Sequence, residues 1–411
     1  HSAESDNSSY IVDTTPPTVS SVAITNVVGA QNSFVNANDV VEMKVTFSES
    51  PISAVIVDNT SAAMLTLVVG NDNRTATYHS GDSTIVSSGS DNASLVFRYT
   101  IQATNTSGEN DDDGISIPEN ALNSNIITIR DAAGNIATDL TNDAVPDNSS
   151  VKVDTIPPSV DNFTMSDTEL KIGDNATVTL EFSEPVCVST SECTRSQTNA
   201  ADPYFSNADI TILNGSLSTM TSDDNETWIG TFTPAINTED DSNTLSLATT
   251  YTDLAGNNGP DNQTENYEVD TLAPTVIVAF SSELTEGRQT LSGYGFLNAG
   301  DNVSVTATFS ERVIVDNSSS NPTLTLVVGS DNRTATYMSH DNATLVFEYT
   351  IQAQETDSFG ISIPENALDN HSSTIRDVAL NYANLAHSAE SDNSSYIVDT
   401  TPPTVSSVAI T

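Results

Sequence analysis

Acidic side chains recur at three fixed places along this sequence. Asp13, Asp154, Asp270 and Asp399 each open an Asp-Thr-x-x-Pro segment, Glu49, Glu184 and Glu311 each close a Phe-Ser-Glu triplet, and Asp131, Asp253 and Asp377 each begin an Asp-x-Ala-x-Asn segment. Hard oxygen donors offered by several loops suit Ca2+, which takes about six to eight of them. The expected ligand sets are Asp13, Glu49 and Asp131; Asp154, Glu184 and Asp253; and Asp270, Glu311 and Asp377, with the amide oxygens of Asn135, Asn257 and Asn381 as further donors. The competing reading is that Asp and Asn stand there as turn formers and exposed charge. A second acidic run, Asn110-Asp111-Asp112-Asp113-Gly114, lacks the spacing and closing Glu of a helix-loop-helix calcium site and reads as a solvated turn.

The parts of an enzyme do not assemble. His1 and His387 occupy the same repeated position, while His79, His340 and His371 lie in polar, turn-like stretches, and neither a paired-histidine metalloprotease motif nor a Gly-x-Ser-x-Gly elbow occurs. Gly81-Asp82-Ser83 resembles the opening of a GDS-type esterase block, but it falls in an insertion that the related later segment lacks. Trp228, the single tryptophan, lies on a strand-like segment and reads as core. Cys187 and Cys193 are predicted to close a small disulfide loop in an oxidising compartment, since their spacing is not the Cys-x-x-Cys of zinc or redox sites. The chain is therefore read as non-catalytic.

Charge narrows the partners. With 56 acidic against 11 basic residues and a formal charge of −45, the chain is unsuited to the phosphate backbone of nucleic acids and favours cations. No apolar run approaches the roughly 20 residues that span a bilayer, and no basic-then-apolar leader opens the sequence. The expectation is mature, soluble sequence excised from something longer.

The elements that position these residues follow from repeats. Residues 1–25 recur unchanged at 387–411, a period of 386 residues, and the linker aspartates are spaced 141, 116 and 129 residues apart. The reading is a tail of a preceding unit (1–12), three domains (13–153, 154–269 and 270–398) and the start of the next unit (399–411). Proline fixes φ and cannot donate to a sheet, so each Asp-Thr-x-x-Pro segment reads as a stiff linker entering a first strand. The first and third domains share VIVDN at Val55 and Val313, LTLVVG at Leu65 and Leu324, DNRTATY at Asp72 and Asp331, and GISIPENAL at Gly114 and Gly360. Apolar residues alternate with polar ones at Val41, Met43, Val45 and Phe47, at Val178, Leu180 and Phe182, and at Val303, Val305, Ala307 and Phe309. That period of two predicts an all-β fold of antiparallel sheets packed face to face, about seven strands to each sandwich.

The Phe-Ser-Glu strand ends, the DTxPP linkers, DAAGN at Asp131, DLAGN at Asp253 and WIGTFTP at Trp228 together resemble bacterial immunoglobulin-like repeats. The third domain departs at Asp377–Asn381, where DVALN lacks the glycine and its turn is expected to differ. The resemblance implies tandem immunoglobulin-like sandwiches in an extended rod or filament, as in giant adhesins and cell-surface stalks. The implied role is a structural repeat of an extracellular filament or stalk, at the cell surface or shed. Its partners would be neighbouring copies, joined covalently or by lending the strand near Val405–Ile410. The alternative is an adhesin module recognising a glycan or protein receptor.

Asn-x-Ser/Thr sequons, candidates for N-linked glycans, stand at Asn7, Asn59, Asn73, Asn92, Asn105, Asn148, Asn162, Asn175, Asn214, Asn225, Asn262, Asn302, Asn317, Asn332, Asn342, Asn370 and Asn393. Four recur at equivalent places, Asn59 with Asn317, Asn73 with Asn332, Asn92 with Asn342, and Asn175 with Asn302. Their turn and strand-edge placement predicts a hydrophilic sheath.

Overall fold

The structure is a computed structural model that describes residues 12–48, 55–58, 63–79, 94–103, 109–123, 128–187, 204–281, 289–291 and 294–409. Among the described residues the regular elements are β-strands and two short 3-10 turns, Asn207–Asp209 and Ser394–Tyr396. No helix among the described residues is long and apolar enough to cross a membrane.

The alternation seen in sequence becomes one-sided burial. Val40–Phe47 buries Val41, Met43, Val45 and Phe47 and turns Glu42, Lys44 and Thr46 outward, and Asn302–Phe309 repeats the pattern. Three separate apolar cores result, one from Val35 to Val153, one from Phe163 to Val269 and one from Val276 to Val398. Each is the interior of a β-sandwich.

In the first unit a six-stranded antiparallel sheet runs in the order Val19–Val28, Val40–Phe47, Ser94–Thr100, Asp72–Tyr78, Met64–Val69 and Leu122–Asn123. Facing it are Lys152–Asp154, flanked by Phe34–Val35 and Asn110–Asp111, and the pair Ile56–Asp58 with Thr128–Arg130. The third unit repeats this order from Val276–Phe280 to Leu368–Asp369. The second unit is smaller. A four-stranded sheet (Val160–Met165, Ala176–Phe182, Thr227–Pro234, Gly215–Leu217) lies against two three-stranded sheets. Trp228 belongs to its core, 1 % exposed, with its ring edge-on to Phe205 and its Nε1 donating to Asn225 O at 3.3 Å.

The acidic run at Asn110–Gly114 is the solvated turn its composition suggests at Asp112 and Asp113, which are exposed, but not at Asp111. Asp111 is buried and accepts the backbone N–H of Gly70 and of Gly114, each at 2.7 Å, and Asp357 does the same with Gly329 and Gly360. Buried Glu109 and Glu355 each accept a tyrosine hydroxyl, an arginine and a backbone N–H, from Tyr99, Arg74 and Gln102 or from Tyr349, Arg333 and Gln352. A carboxylate tolerates burial only with such partners.

Candidate metal centres at the unit junctions

Each unit is entered through the same small assembly. The linker aspartate forms an Asx turn, its Oδ1 accepting the N–H two residues on: Thr15 to Asp13 at 3.0 Å, Ile156 to Asp154 at 3.0 Å, Leu272 to Asp270 at 3.2 Å and Thr401 to Asp399 at 2.9 Å. Just past the linker proline, the chain is stapled to the Phe-Ser-Glu strand by the serine. Thr18 N donates to Ser48 Oγ at 3.1 Å, Ser159 N to Ser183 Oγ at 2.9 Å and Thr275 N to Ser310 Oγ at 3.0 Å. The serines of the second and third triplets thereby set Glu184 and Glu311 beside the linker.

The Asp-x-Ala-x-Asn turn supplies the third wall. Asp253 N donates to Asn257 O at 3.1 Å and Gly256 N to Asp253 O at 3.3 Å, and Asp377 with Asn381 and Leu380 reproduces both bonds at 3.1 and 3.3 Å. The turn without glycine therefore keeps both of these backbone hydrogen bonds. It is held at a conformational cost, Leu380 taking a φ of 76° where Gly256 takes 89° and Gly134 takes 95°.

The closing asparagines act as donors. Asn257 Nδ2 donates to Asp253 Oδ2 at 2.8 Å and across to the linker carbonyl Asp154 O at 3.1 Å; Asn381 does so to Asp377 Oδ2 at 2.9 Å and Asp270 O at 2.8 Å, and Asn135 to Asp131 Oδ2 at 2.7 Å and Asp13 O at 3.1 Å. Of the amide oxygens expected as ligands, Asn381 Oδ1 instead accepts Ile172 N of the preceding unit at 2.9 Å. The amide nitrogen is needed to tie linker to turn, which fixes the side chain's orientation.

Two of the three expected carboxylate sets come together. One ligand oxygen from each of Asp154, Glu184 and Asp253 lies within 4.8 Å of the others, and the same holds for Asp270, Glu311 and Asp377. Of the first set, Asn135 ties the Asp131 carboxylate to the backbone carbonyl of Asp13, while Glu49 lies outside the described residues. So do Cys193, Asn7, Asn59, Asn92, Asn105 and Gly81-Asp82-Ser83. Cys187 is disulfide-bonded.

Three carboxylates this close repel unless a proton or a cation sits among them. Burial, followed by the charges of Asp154, Asp253 and Glu226, pushes Glu184 up to about 8. Burial, followed by Asp377, Asp270 and Glu239, pushes Glu311 up to about 7. Asp154, Asp253 and Asp270 are also raised, chiefly by burial. At Asp131 burial opposes the charge too, but donors from Asn135, Gly134 and Ala133 prevail and its carboxyl lies below the ordinary range. Two buried side-chain oxygens among the described residues lack a partner, Asn225 Oδ1 and Thr252 Oγ1, and they stand next in sequence to Glu226 and Asp253. An all-oxygen, strongly anionic donor set of this kind fits a hard divalent cation.

The preceding unit reaches each junction as well. Thr155 Oγ1 donates back to Glu109 O at 3.2 Å, Thr271 Oγ1 to Ala235 O at 2.6 Å and Thr400 Oγ1 to Glu355 O at 2.8 Å. Ahead of the second unit, Asn32 Nδ2 donates to Leu254 O and Asn36 Nδ2 to Ala255 O, both at 2.9 Å. Sequence reading missed these threonines and serines, although both recur beside every linker aspartate or glutamate.

Residues 154–269 match the family described as the bacterial Ig-like domain. No curated protein matches the chain significantly. Among solved structures, the plexin A4 extracellular region aligns with 90 % of this chain and 34 % of its own at 8 % identity and a TM-score of 0.20, so the chain spans about a third of it. A titin fragment aligns over 57 % of this chain and 98 % of its own at 11 % identity and a TM-score of 0.20. E. coli alpha-2-macroglobulin in its native conformation aligns over 89 % and 22 %, at 9 % identity and a TM-score of 0.15. The likeness to the bacterial Ig-like domain thus lies in the unit spanning residues 154–269.

Proposed function

We propose that the chain is a non-catalytic structural repeat of an extracellular filament or cell-surface stalk, in which Ca2+ at the junctions fixes each unit against the next. The observation that carries this is the convergence, at both Asp154 and Asp270, of a linker carboxylate with two carboxylates of the following unit. An ion held there joins the segment leaving one sandwich to two loops of the next, and offsets their repulsion. Asp154, Glu184 and Asp253 would hold one ion, Asp270, Glu311 and Asp377 another, and Asp13, Glu49 and Asp131 a third. The experiment is small-angle scattering on the 411-residue chain in Ca2+ and in excess chelator. Chelation is expected to broaden the distribution of interatomic distances, and superimposable profiles would contradict the proposal.

N-linked glycans would add a sheath to this architecture. Asn73, Asn175, Asn262, Asn332 and Asn342 are exposed, which supports occupancy there. Asn214 instead donates its amide to Asp240 and Asn243, and Asn370 donates to Ser373 O, so these two are expected to be bare. Glycopeptide mass spectrometry on native material separates the two groups.

A further inference from the structure

In each unit a side chain from the segment after the Asp-x-Ala-x-Asn turn captures a backbone N–H at the mouth of a short strand, and the captor differs each time. Ahead of Leu122–Asn123, Asn142 Oδ1 accepts Ala121 N at 2.8 Å. Ahead of Ser246–Leu247, Thr264 Oγ1 accepts Leu245 N at 3.0 Å. Ahead of Leu368–Asp369, His387 Nε2 accepts Ala367 N at 2.8 Å and Leu368 N at 3.3 Å. An amide or hydroxyl oxygen accepts at any pH, whereas an imidazole nitrogen accepts only while it carries no proton.

The bonds around His387 fix its state. Two N–H groups point at Nε2, so the ring is neutral with its proton on Nδ1, which donates to Ser388 O at 2.8 Å. The ring is buried, and a proton on Nε2 would set N–H against two N–H groups with little water to take their place. We propose that His387 is a pH-sensitive latch, fastening the segment 387–399 to the third unit while neutral and releasing it on protonation, so that the third unit is the acid-labile one of the three. The proposal is independent of calcium.

Both sides of the latch matter to the fold. Ala367 and Leu368 belong to the third core, with Leu368 paired to Leu324 and Ala367 O accepting Thr325 N at 3.0 Å. Asn366 N donates to His387 O at 3.2 Å and Asn366 Oδ1 accepts His387 N at 3.3 Å, so the same contact anchors the segment's backbone. That segment continues through Glu390, bridged to Ile363, to Ile397–Asp399, which runs parallel to Tyr294–Leu297 and antiparallel to Thr356–Asp357. The charged side chains on the elements bonded to the ring are Glu365 and Asp369, on either side of the captured amides, and Glu390 on its own segment. All three are exposed, and the strand Thr323–Val328 beside Leu368 carries no charge. None of them offers an imidazolium a buried carboxylate in exchange for the lost bonds.

The test is hydrogen exchange read by mass spectrometry on the 411-residue chain in Ca2+-free buffer at pH 7.5 and pH 5, corrected for the intrinsic exchange rate. Protection of the peptide holding Ala367 and Leu368 should fall by up to about thirtyfold, the factor by which the neutral form of an ordinary imidazole is depleted over that interval. Peptides holding Ala121 and Leu245 serve as controls within the same molecule and should keep their protection. His387→Asn, which installs the captor of the first unit, should abolish the loss, and this arm separates His387 from His340 and His371, the exposed histidines of the same unit. No loss at Ala367 and Leu368, an equal loss in all three units, or a loss that persists in His387→Asn would each overturn the proposal.

Discussion

At the junction led by Asp154 the central glutamate is pushed up to about 8, and at the junction led by Asp270 only to about 7, although the three carboxylates are the same. Burial is the first cause at both. The fourth charge differs: at Asp154 it is Glu226 of the same unit, at Asp270 it is Glu239 of the preceding one. The turns differ as well, with Gly256 facing the Gln31 and Asn36 side chains at the first and Leu380 lining a groove with Lys171 and Asp240 at the second. The pair teaches that the Asp…Asn frame and the serine staple define the junction, whereas the residue between them is free to change at a conformational cost.

The largest expected separation comes from the asparagines. Replacing Asn257 or Asn381 by Ala strips donors from a buried carboxylate and a linker carbonyl, a loss of about 1–3 kcal/mol in the unfolding of the unit concerned. Only Asn381→Ala also releases Ile172 N of the preceding unit, so scattering should change more for it than for Asn257→Ala. Equal scattering changes would dissolve the distinction.

Exchanging the turn residues comes next. Gly256→Leu places a side chain at a φ of 89° and its Cβ 2.4 Å from Gln31 Nε2, a contact the flexible Gln31 can relieve. The remaining backbone strain should cost about 2 kcal/mol. Leu380→Gly runs the other way, relieving strain but loosening the unfolded chain, for a net gain of about 0.5–1 kcal/mol. Melting of the single variants measures both, and a stabilising Gly256→Leu would refute the shared-turn account.

Acid provides a finer probe. In chelator the folded chain holds the Glu184 proton up to about 8 against an ordinary value of 4.5, so it binds that proton more tightly than the unfolded chain. The stability this contributes is complete below about pH 4 and is lost as pH rises through 8. The Glu311 contribution is lost earlier, through about 7. Melting of the chelated chain should therefore fall between pH 5 and 8, with Glu184→Gln flattening the upper part of the decline and Glu311→Gln the lower.

How much of this was legible in sequence depends on whether local pattern or tertiary contact decides. The sandwich was legible because Val41, Met43, Val45 and Phe47 alternate over a whole strand and bury on one side. The closeness of the carboxylates led by Asp154 and by Asp270 was legible because their members recur at fixed places beside linker and turn signals. The role of Asn257 as donor was not, since Asn offers both an oxygen and an amide and only the neighbouring carboxylate and carbonyl select one. Nor was the burial of Asp111, whose composition reads as solvent-facing until Gly70 and Gly114 bring their N–H groups to it. The packing of Tyr396 within the third unit was likewise hidden, because it declares itself core only against Phe280.

The central claim, that these carboxylates hold Ca2+ between units, is tested most directly by calorimetric titration of the chelator-stripped 411-residue chain with Ca2+. The account predicts saturable binding, with the free energy of unfolding raised by about 2.7 kcal/mol per site at a hundredfold excess over the dissociation constant. It also predicts the loss of one site in Glu184→Gln and of a different one in Glu311→Gln. Titrations of both variants indistinguishable from that of the unaltered chain, or no binding heat and no change in melting at millimolar Ca2+, would contradict it.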